Sequence, residues 1–509
     1  MFESANLDHR IDKIAYRRDE AKLRAQLLNA QYDLKENGRF PVLILIAGVE
    51  GAGKGETINL LNEWMDPRHI HTHAFFEPSD EERERPALWR FWRHLPPKGK
   101  VGVFFGAWHT MPIIQRVNGE IGEGEFAQAI GEIVRLEKML CDEGVLLLKY
   151  WFHLSRPQQK KRLRQLEKDP DTRWRVTDRE WEYFKLYKKF IRVSEPFLRK
   201  TSTGEAPWIV VPGADPRYRS LTFGRHLLAA MRERLDEKPV KRLPDKTPPL
   251  LAAGDRLNVL RALPLDQPLT RNDYQKQLAK WQGRLNIASR DPRFRSLAVV
   301  GVFEGNDAAG KGGALRRVTS ALDARVYTNI PVAAPTEEER AQPYLWRFWR
   351  QLPRRGRFTF FDRSWYGRVL VERVEGFCSE ADWMRAYGEI NDFEGAMLRH
   401  GVVVVKFWLA ISKEEQYRRF KAREKVDFKR FKITAEDWRN RRKWDAYEIA
   451  VCDMVDRTST ALSPWTLVEA NNKYHARLKV LKTLTRALEE ALERIGGKGG
   501  GKAKAKTKK

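Results

Sequence analysis

Cysteine is scarce in this chain of 509 residues. Only Cys141, Cys378 and Cys452 occur, and their spacing fits neither a disulfide framework nor a cysteine metal site. This usage is typical of the reducing cytosol, so we expect a cytoplasmic location. Long apolar runs are also missing, because no segment approaches the roughly 20 residues of a membrane span. The N-terminus lacks the basic-then-apolar order of a signal peptide, and we therefore expect no membrane segment.

Acidic residues are too few to balance the basic ones. The chain has 68 Asp and Glu against 95 Lys and Arg, which gives a formal net charge of +27. The segment 496–509 is rich in lysine, glycine and alanine, and this composition predicts a disordered tail. The rest of the chain is basic as well, which favours a polyanionic partner.

What the sequence does contain is a long repeat. The hexapeptide LWRFWR occurs at 88–93 and again at 345–350, an offset of 257 residues (345 minus 88). The same offset relates Lys54 to Lys311 and Lys149 to Lys406. A period of this length indicates a duplicated domain, since solenoid repeats are much shorter. We predict two domains, at 1–233 and 271–495, joined by a proline-rich linker at 234–270.

Each copy alternates apolar runs with helical patterns. The first runs, Val42–Ala47 and Leu297–Phe303, read as buried parallel strands, and a glycine-rich turn and a helix follow each of them. Strands that alternate with helices predict a parallel sheet covered on both faces. The predicted fold class is therefore α/β, with two tandem doubly wound parallel-sheet domains.

The turn after the second of these runs has the spacing of a P-loop. Gly305 is followed after four residues by Gly310 and Lys311, and such a loop wraps backbone N–H groups around a phosphate. We predict that the loop residues Gly305, Asn306, Gly310, Gly312 and Gly313 bind phosphate. Ordinary P-loops place Ser or Thr after the lysine to hold Mg²⁺, whereas Gly312 stands here. Asp307 is the nearest acid that could replace that ligand, or it could be a helix-cap partner.

A second acidic candidate follows the run Phe358–Phe361. Asp362 stands at the carboxyl end of a predicted strand, where α/β sheets bind ligands, and is placed like a Walker B carboxylate. Arg363 could stabilise charge on a transferring phosphoryl group. The alternative is a surface Asp–Arg pair. We predict Asp307 and Asp362 as metal ligands.

A strongly basic run extends from 417 to 443. It includes Arg418, Arg419 and Lys421, which we predict to bind phosphate. A run this basic after a sheet strand could line a groove for a chain of phosphates, although many such runs are only solvated helix faces.

These motifs resemble one family. The segments Gly305–Gly313, Leu345–Trp349 and Asp362–Tyr366 resemble those of the polyphosphate kinase 2 family, and the duplication resembles its two-domain members. The resemblance implies a P-loop kinase-like fold with a helical lid in each domain. It implies Mg²⁺ and phosphoryl transfer from inorganic polyphosphate to a nucleotide, with AMP as acceptor and ADP as product. It implies catalytic roles for Asp307, Lys311, Asp362, Arg363 and a lid arginine that best matches Arg423.

The first copy lacks most of this chemistry. Glu50 stands at the position of Asp307, and Glu56 adds a negative charge beside the loop. Phe105 and Gly106 replace the Asp362–Arg363 pair, and Leu166 stands opposite Arg423. Catalysis depends on the residues of the site and not on the fold. Because these residues are replaced, we predict that the first domain is inactive.

Three other functions remain open. The chain could be a polyphosphate-dependent nucleoside diphosphate kinase that converts ADP to ATP, an ATP-dependent P-loop kinase, or a nucleic-acid-binding P-loop protein. The missing Ser or Thr after Lys311 speaks against the second, and the absence of a nucleic-acid-reading motif speaks against the third. We expect a homo-oligomer or, within one chain, a two-domain pseudo-dimer.

Overall fold

The computed structural model describes residues 1–7, 9–237, 258–426 and 433–503. The chain divides into two compact units. The first comprises Met1–Pro78, Arg90–Lys241 and Pro335–Trp346, and the second comprises Ser79–Trp89, Arg242–Ala334 and Arg347–Lys509. Each unit thus contains one copy of the repeat together with a short segment of the other copy.

The first unit is built on a five-stranded parallel sheet. Its strands are β1 (Val42–Gly48), β2 (Ile70–Ala74), β3 (Val101–Phe105), β4 (Leu146–His153) and β5 (Trp208–Pro212). They lie in the order β2-β3-β1-β4-β5, and every neighbouring pair is parallel. The central strand β1 is buried almost throughout, which explains its unbroken run of Val, Leu and Ile.

The second unit repeats this sheet. Its strands are β6 (Ala298–Gly305), β7 (Tyr327–Pro331), β8 (Phe358–Asp362), β9 (Val402–Ala410) and β10 (Trp465–Glu469). The order β10-β9-β6-β8-β7 is the same arrangement, and the paired strands are again parallel. The predicted α/β fold with two tandem parallel-sheet domains is confirmed.

Helices connect the strands and cover both sheets. In the first copy they are Lys13–Asn37, Lys54–Trp64, Asp80–Arg83, Trp89–Trp92, Thr110–Asn118, Glu123–Asp142, Arg156–Lys168, Asp178–Lys185, Tyr187–Thr201 and Pro216–Asp236. In the second copy they are Arg271–Arg290, Lys311–Thr319, Glu337–Arg340, Trp346–Trp349, Val371–Glu375, Glu380–Arg399, Lys413–Glu424, Ala435–Arg442, Trp444–Thr458 and Lys473–Ala503. Short 3₁₀ turns lie at Ser4–Asn6, Pro67–His69, Arg173–Arg175, Pro292–Ser296, Ala324–Val326 and Trp365–Arg368.

A buried ion pair occurs at the same place in both copies. Lys149 Nζ lies 2.5 Å from Glu137 Oε2, and Lys406 Nζ lies 2.7 Å from Glu394 Oε2. Each ammonium group also donates to a backbone carbonyl, so its charge is hydrogen-bonded as well as paired. Because the first copy keeps this pair although it lacks the Asp362–Arg363 motif, we assign the pair to the fold.

The ends of the predicted linker and tail differ from the sequence expectation. The helix Pro216–Asp236 ends inside the predicted linker 234–270, of which residues 238–257 lie outside the described residues. Residues 258–270 follow the surface of the second unit, where Arg261 pairs with Glu448 at 2.8 Å. The helix Lys473–Ala503 enters the segment 496–509 that we predict to be disordered, and residues 504–509 lie outside the described residues. Within the described ranges, no helix is long and apolar enough to cross a membrane.

Candidate functional site

The glycine-rich loop between β6 and the helix Lys311–Thr319 has the backbone geometry of an anion site. Gly305 has φ 148°, and a Cβ there would lie 2.4 Å from the carbonyl oxygen of Leu409, so only glycine fits. Gly310, with φ 106°, is the residue that caps the helix start. The amides at the start of an α-helix have no carbonyl partner one turn before them, and the helix dipole adds positive potential there. A phosphate is the ligand that this geometry suits.

Two side chains stabilise the shape of the loop. Lys311 Nζ donates to the carbonyl oxygens of Gly305 at 2.8 Å and Asn306 at 3.4 Å. Asn306 Oδ1 accepts a hydrogen bond from the amide of Ile411, just beyond β9, at 3.1 Å. Lys311 therefore lies over the loop, and Asn306 contributes its side chain to the loop shape.

Asp307 and Arg363 form an ion pair at the mouth of the loop. Arg363 Nη2 lies 3.1 Å from Asp307 Oδ1, and Asn440 Nδ2 donates to Asp307 Oδ2 at 2.8 Å. Gln416 donates to the backbone carbonyl of Asp307 at 3.1 Å. The hydrogen bonds to the Asp307 carboxylate come from side chains, whereas a helix cap would accept them from backbone amides. Asp307 is therefore not a helix-cap partner in this structure.

Asp362 ends β8 next to the loop. Its Oδ2 lies 3.8 Å from the place where a Cβ on Gly312 would stand. Within the described residues no group donates a hydrogen bond to this carboxylate. Arg363 forms its ion pairs with Asp307 and with Glu436, whose Oε1 lies 3.6 Å from Arg363 Nη1. The alternative of a simple Asp362–Arg363 surface pair therefore does not describe the site.

Backbone strain is concentrated here. Ala308 and Arg363 have φ of 63° and 64°, the positive-φ non-glycine residues of the described chain. Such conformations cost free energy and persist where the surroundings impose them, often at functional sites. Arg363 is itself a partner in the Asp307–Arg363 contact, and Ala308 directly follows Asp307.

Glu304 is a site residue that our sequence reading did not single out. It is the last residue but one of β6, is almost fully buried, and accepts a hydrogen bond from Ser364 Oγ at 2.7 Å. Burial raises the pKa of the Glu304 carboxyl, while the Ser364 hydrogen bond and the charges of Lys311 and Arg363 oppose that shift. The signal was available in the duplication, because the first copy has Ala47 at this position.

A cavity of about 80 Å³ opens onto this cluster. Its floor is formed by Glu304, Asp307 and Arg363, and its walls include the rings of Trp408, Trp444 and Tyr447. A second cavity of about 270 Å³ shares Asn306 and these three rings, and Leu260, Arg261, Leu263 and Leu265 from the described end of the linker line it. Charged groups thus meet an aromatic pocket, an arrangement that suits a ligand with a phosphate and a ring system.

A family model described as Polyphosphate kinase 2 matches residues 10–239 and 268–495, one match for each copy. The chain belongs to the polyphosphate kinase 2 family. The resemblance predicted from the three motifs is confirmed.

Individual relatives align over nearly the whole chain. A polyphosphate:AMP phosphotransferase of Pseudomonas aeruginosa is 58% identical over 494 residues, 97% of this chain and 100% of the relative. One of Pseudomonas syringae pv. tomato is 55% identical over 97% of this chain and 99% of its own. A crystal structure described as a polyphosphate kinase 2 from Pseudomonas aeruginosa PA01 superimposes with a TM-score of 0.88 at 56% identity, covering 97% of this chain and 100% of that one.

The three basic residues that we predict to bind phosphate in this polyphosphate kinase 2 chain differ from one another in their contacts. Arg419 donates to the loop carbonyls of Ala308 and Ala309 at 2.9 and 3.0 Å and to two carbonyls after β10, and it pairs with Glu415. Its guanidinium therefore supports the loop from outside, which differs from the phosphate contact predicted for it. Arg418 and Lys421 pair with Glu415 and Glu424 of their own helix and are exposed. Their phosphate-binding role stays a prediction.

Arg423 lies closer to the centre of the site. It is half-buried, and burial lowers the pKa of its guanidinium, while the charges of Asp437 and Asp307 act in the opposite direction. Asp437, like Asn440 and Glu436, belongs to the helix Ala435–Arg442, and the sequence reading missed all three. In the sequence they lie within a run of basic residues that gives no sign of a role for them. Only the tertiary structure, in which this helix packs next to the loop, identifies them as site residues.

The first copy of the polyphosphate kinase 2 chain replaces this chemistry with internal ion pairs. Lys54 Nζ lies 3.1 Å from Glu50 Oε1 and donates to the carbonyl oxygen of Gly48 at 3.0 Å. Glu56 pairs with Arg162 at 2.7 Å, with Arg219 at 2.9 Å and with Arg175 at 3.3 Å. Burial opposes ionisation of Glu56, but the arginines hold its pKa below the usual value. The carboxylate of Glu56 thus binds the arginines that lie beside this loop.

Proposed function

We propose that this protein transfers the terminal phosphoryl group of inorganic polyphosphate to AMP, giving ADP, and that the second copy performs the reaction. The observation that carries the proposal is the grouping of Lys311, the Asp307–Arg363 pair and Asp362 around one glycine-rich loop. The first copy has Glu50 at the position of Asp307, and Phe105 and Gly106 replace Asp362 and Arg363. The names and the full-length alignment of the Pseudomonas relatives support polyphosphate as donor and AMP as acceptor.

The reaction needs positioning and charge stabilisation more than covalent chemistry. An oxygen of the AMP phosphate attacks the terminal phosphorus of the chain. The bond from that phosphorus to the bridging oxygen breaks, and the electron pair leaves with a chain that is one phosphate shorter. Lys311 and the loop amides bind phosphate oxygens, and Arg363 stabilises the negative charge that spreads over the transferring group. Asp307 and Asn440 orient Arg363 for this role.

The oxygen donors of the site fit Mg²⁺, which the family resemblance implies. The Asp362 carboxylate has no hydrogen-bond donor among the described residues and lies beside the loop. Magnesium prefers oxygen ligands and is commonly held by one or two carboxylates together with substrate phosphates. It therefore does not need a cluster of three metal-binding side chains, and the described residues contain none. Asp362 and Asp307 would hold the ion, which would neutralise charge on the donor phosphates when bound.

The function is tested by kinetics with AMP as acceptor and phosphate donors of increasing length. We expect KM for the donor to fall as the chain lengthens and to rise with salt, because each added phosphate can form another charge-assisted contact with this basic protein. ADP as acceptor and ATP as donor are the comparison reactions. Equal KM values for ATP and long polyphosphate would contradict the proposal and favour the ATP-dependent kinase. Faster transfer to ADP than to AMP would favour the nucleoside diphosphate kinase.

Metal dependence separates two roles of Asp307. We expect Asp307→Asn to raise the Mg²⁺ concentration for half-maximal activity several-fold and to lower turnover, because the variant removes an anionic ligand and weakens the contact with Arg363. Magnesium titrations of transfer activity measure this, with Asp323→Asn, an acid that pairs with Arg325 away from the loop, as control. An unchanged midpoint for Asp307→Asn would limit Asp307 to orienting Arg363.

The cytoplasmic location and the homo-oligomeric or pseudo-dimeric assembly stay predictions from the sequence. Nucleic acid remains an unexpected partner for this site, because Asp307 and Asp362 would repel a phosphate backbone in the absence of a cation.

A further inference from the structure

The first unit contains a cavity of about 290 Å³ at the carboxyl end of β1. This is the position in the fold at which the second unit has the cavity of about 80 Å³ beside Asp307. Each residue that lines the smaller cavity has a counterpart, at the offset of 257, that lines the larger one. The first copy has therefore kept its pocket although it lost the catalytic residues.

The change between the two pockets is mainly a loss of charge and polarity. Glu304, Asn306 and Arg363 of the second copy correspond to Ala47, Val49 and Gly106 of the first. The remaining charged pair, Lys54 and Glu50, is internally neutral at 3.1 Å.

A phosphorylated ligand would be poorly accommodated in this pocket. Lys54 donates to two loop carbonyls, as Lys311 does, but it also donates to the carboxylate of Glu50. Glu56 already forms ion pairs with the nearby cations Arg162 and Arg219 beside the loop. An incoming phosphate would meet these two carboxylates and find the nearby cations engaged.

The aromatic walls, in contrast, are retained. Trp151, Tyr187 and Phe190 stand at the positions of Trp408, Trp444 and Tyr447. The rings of Trp151 and Phe190 are stacked, with centroids 5.6 Å apart. Flat, apolar walls of this kind bind planar ring systems, because stacking adds to the area that is removed from water.

Several buried polar atoms in the lining have no partner. His109 is 1% exposed, and neither of its ring nitrogens makes a hydrogen bond within the described part of the chain. The same holds for Trp151 Nε1 and Gln159 Oε1. Burial lowers the pKa of His109 to about 3, so the imidazole is neutral and offers one donor and one acceptor. Polar atoms at such depth are ordinarily satisfied by hydrogen bonds.

We propose that the first copy binds an unphosphorylated purine nucleoside in this cavity without phosphorylating it. The volume is near the lower end of small-molecule sites, which span roughly 300–1,000 Å³. The choice of a purine nucleoside rests on the proposed function, since AMP is the proposed acceptor and the counterpart pocket of the second copy has the charged and aromatic lining that suits it. The first copy then retains recognition of the base while its phosphate contacts are replaced by the Glu56 ion pairs.

The test uses a matched pair of cavity-filling variants in the full chain. Ile114 and Val371 are counterparts, both half-buried, and each lines its own cavity. Adenosine binding is measured by isothermal titration calorimetry, with adenine and AMP as comparison ligands, and transfer from polyphosphate to AMP is measured in parallel. We expect Ile114→Trp to weaken adenosine binding at least tenfold and to keep transfer activity. Val371→Trp should keep adenosine binding and lower the transfer activity.

Further arms keep each outcome decisive. Phe190→Ala, which removes a half-buried wall residue, should also weaken adenosine binding, and thermal unfolding identifies a variant that does not fold. Adenosine binding that survives Ile114→Trp but is lost in Val371→Trp, or no adenosine binding at all in an active enzyme, would overturn the nucleoside site and leave the proposed function intact. Tighter binding of AMP than adenosine at the Ile114-sensitive site would also overturn it. Absence of transfer in the unaltered protein would instead refute the proposed function.

Discussion

Replacing Arg363 with alanine is expected to lower the turnover number for transfer from polyphosphate to AMP by about 10³–10⁵-fold, the range for arginines that stabilise a transferring phosphoryl group. The guanidinium is held at the mouth of the loop by Asp307 and Glu436 in a strained backbone conformation. Because its contact strengthens in the transition state, the loss should appear in kcat more than in KM. Steady-state kinetics at saturating donor measure the effect.

Two controls accompany the Arg363 variant. Arg325→Ala removes an equal charge from an exposed pair with Asp323 in the same unit and should leave turnover unchanged. Arg363→Lys keeps the charge but loses the planar donor set, so it should recover only part of the activity. If Arg363→Ala raised KM for the donor at unchanged kcat, Arg363 would be a binding residue and the assigned role would be wrong.

Lys311→Ala is expected to lower transfer activity by about 10²–10³-fold or more, the usual effect of removing one preorganised donor from a charged transition state. Lys54→Ala changes the equivalent lysine of the first copy and should leave most of the activity, because Lys54 is paired with Glu50 and the neighbouring acid and arginine of a phosphoryl-transfer site are absent. The two variants are matched in sequence context and in their contacts with loop carbonyls. Transfer assays on folded proteins compare them.

A folded but inactive Lys54→Ala protein would refute the assignment of the chemistry to the second copy. It would mean that the first loop contributes to transfer despite its ion pairs. A fully active Lys311→Ala protein would refute the phosphate-binding role of the second loop. The comparison is sharp because both copies keep the same sheet order and the same buried Lys–Glu pair.

Features that depend on neighbours along the chain were predictable. The strands β1, β3, β4 and their counterparts are buried at the centre of each sheet, so their side chains are mostly apolar and visible as runs. The edge strands β2 and β7 were not predicted. Each has a single strand neighbour and exposes most of its residues, so Ile70–Ala74 carries no apolar run.

The site divides in the same way. The glycine positions of the loop, the lysine and the acid that ends β8 follow from local spacing. The contact of Asn440 with Asp307, the buried Glu304 and the bracing role of Arg419 join segments far apart in sequence, and periodicity contains no information about such pairs. A long basic run predicts a positive surface, but it does not tell which guanidinium already has partners.

The sequence by itself determined the duplication, the parallel α/β architecture, the glycine-rich loop and which copy lacks the residues predicted for catalysis. These properties depend on residue type, on local spacing and on comparison of the two copies. Only the tertiary structure decided which residues surround the loop, which segments each unit contains, and that the first copy keeps a pocket with aromatic walls. The physical reason is that burial, ion pairing and cavity shape arise where distant segments pack, and a local pattern does not specify that packing.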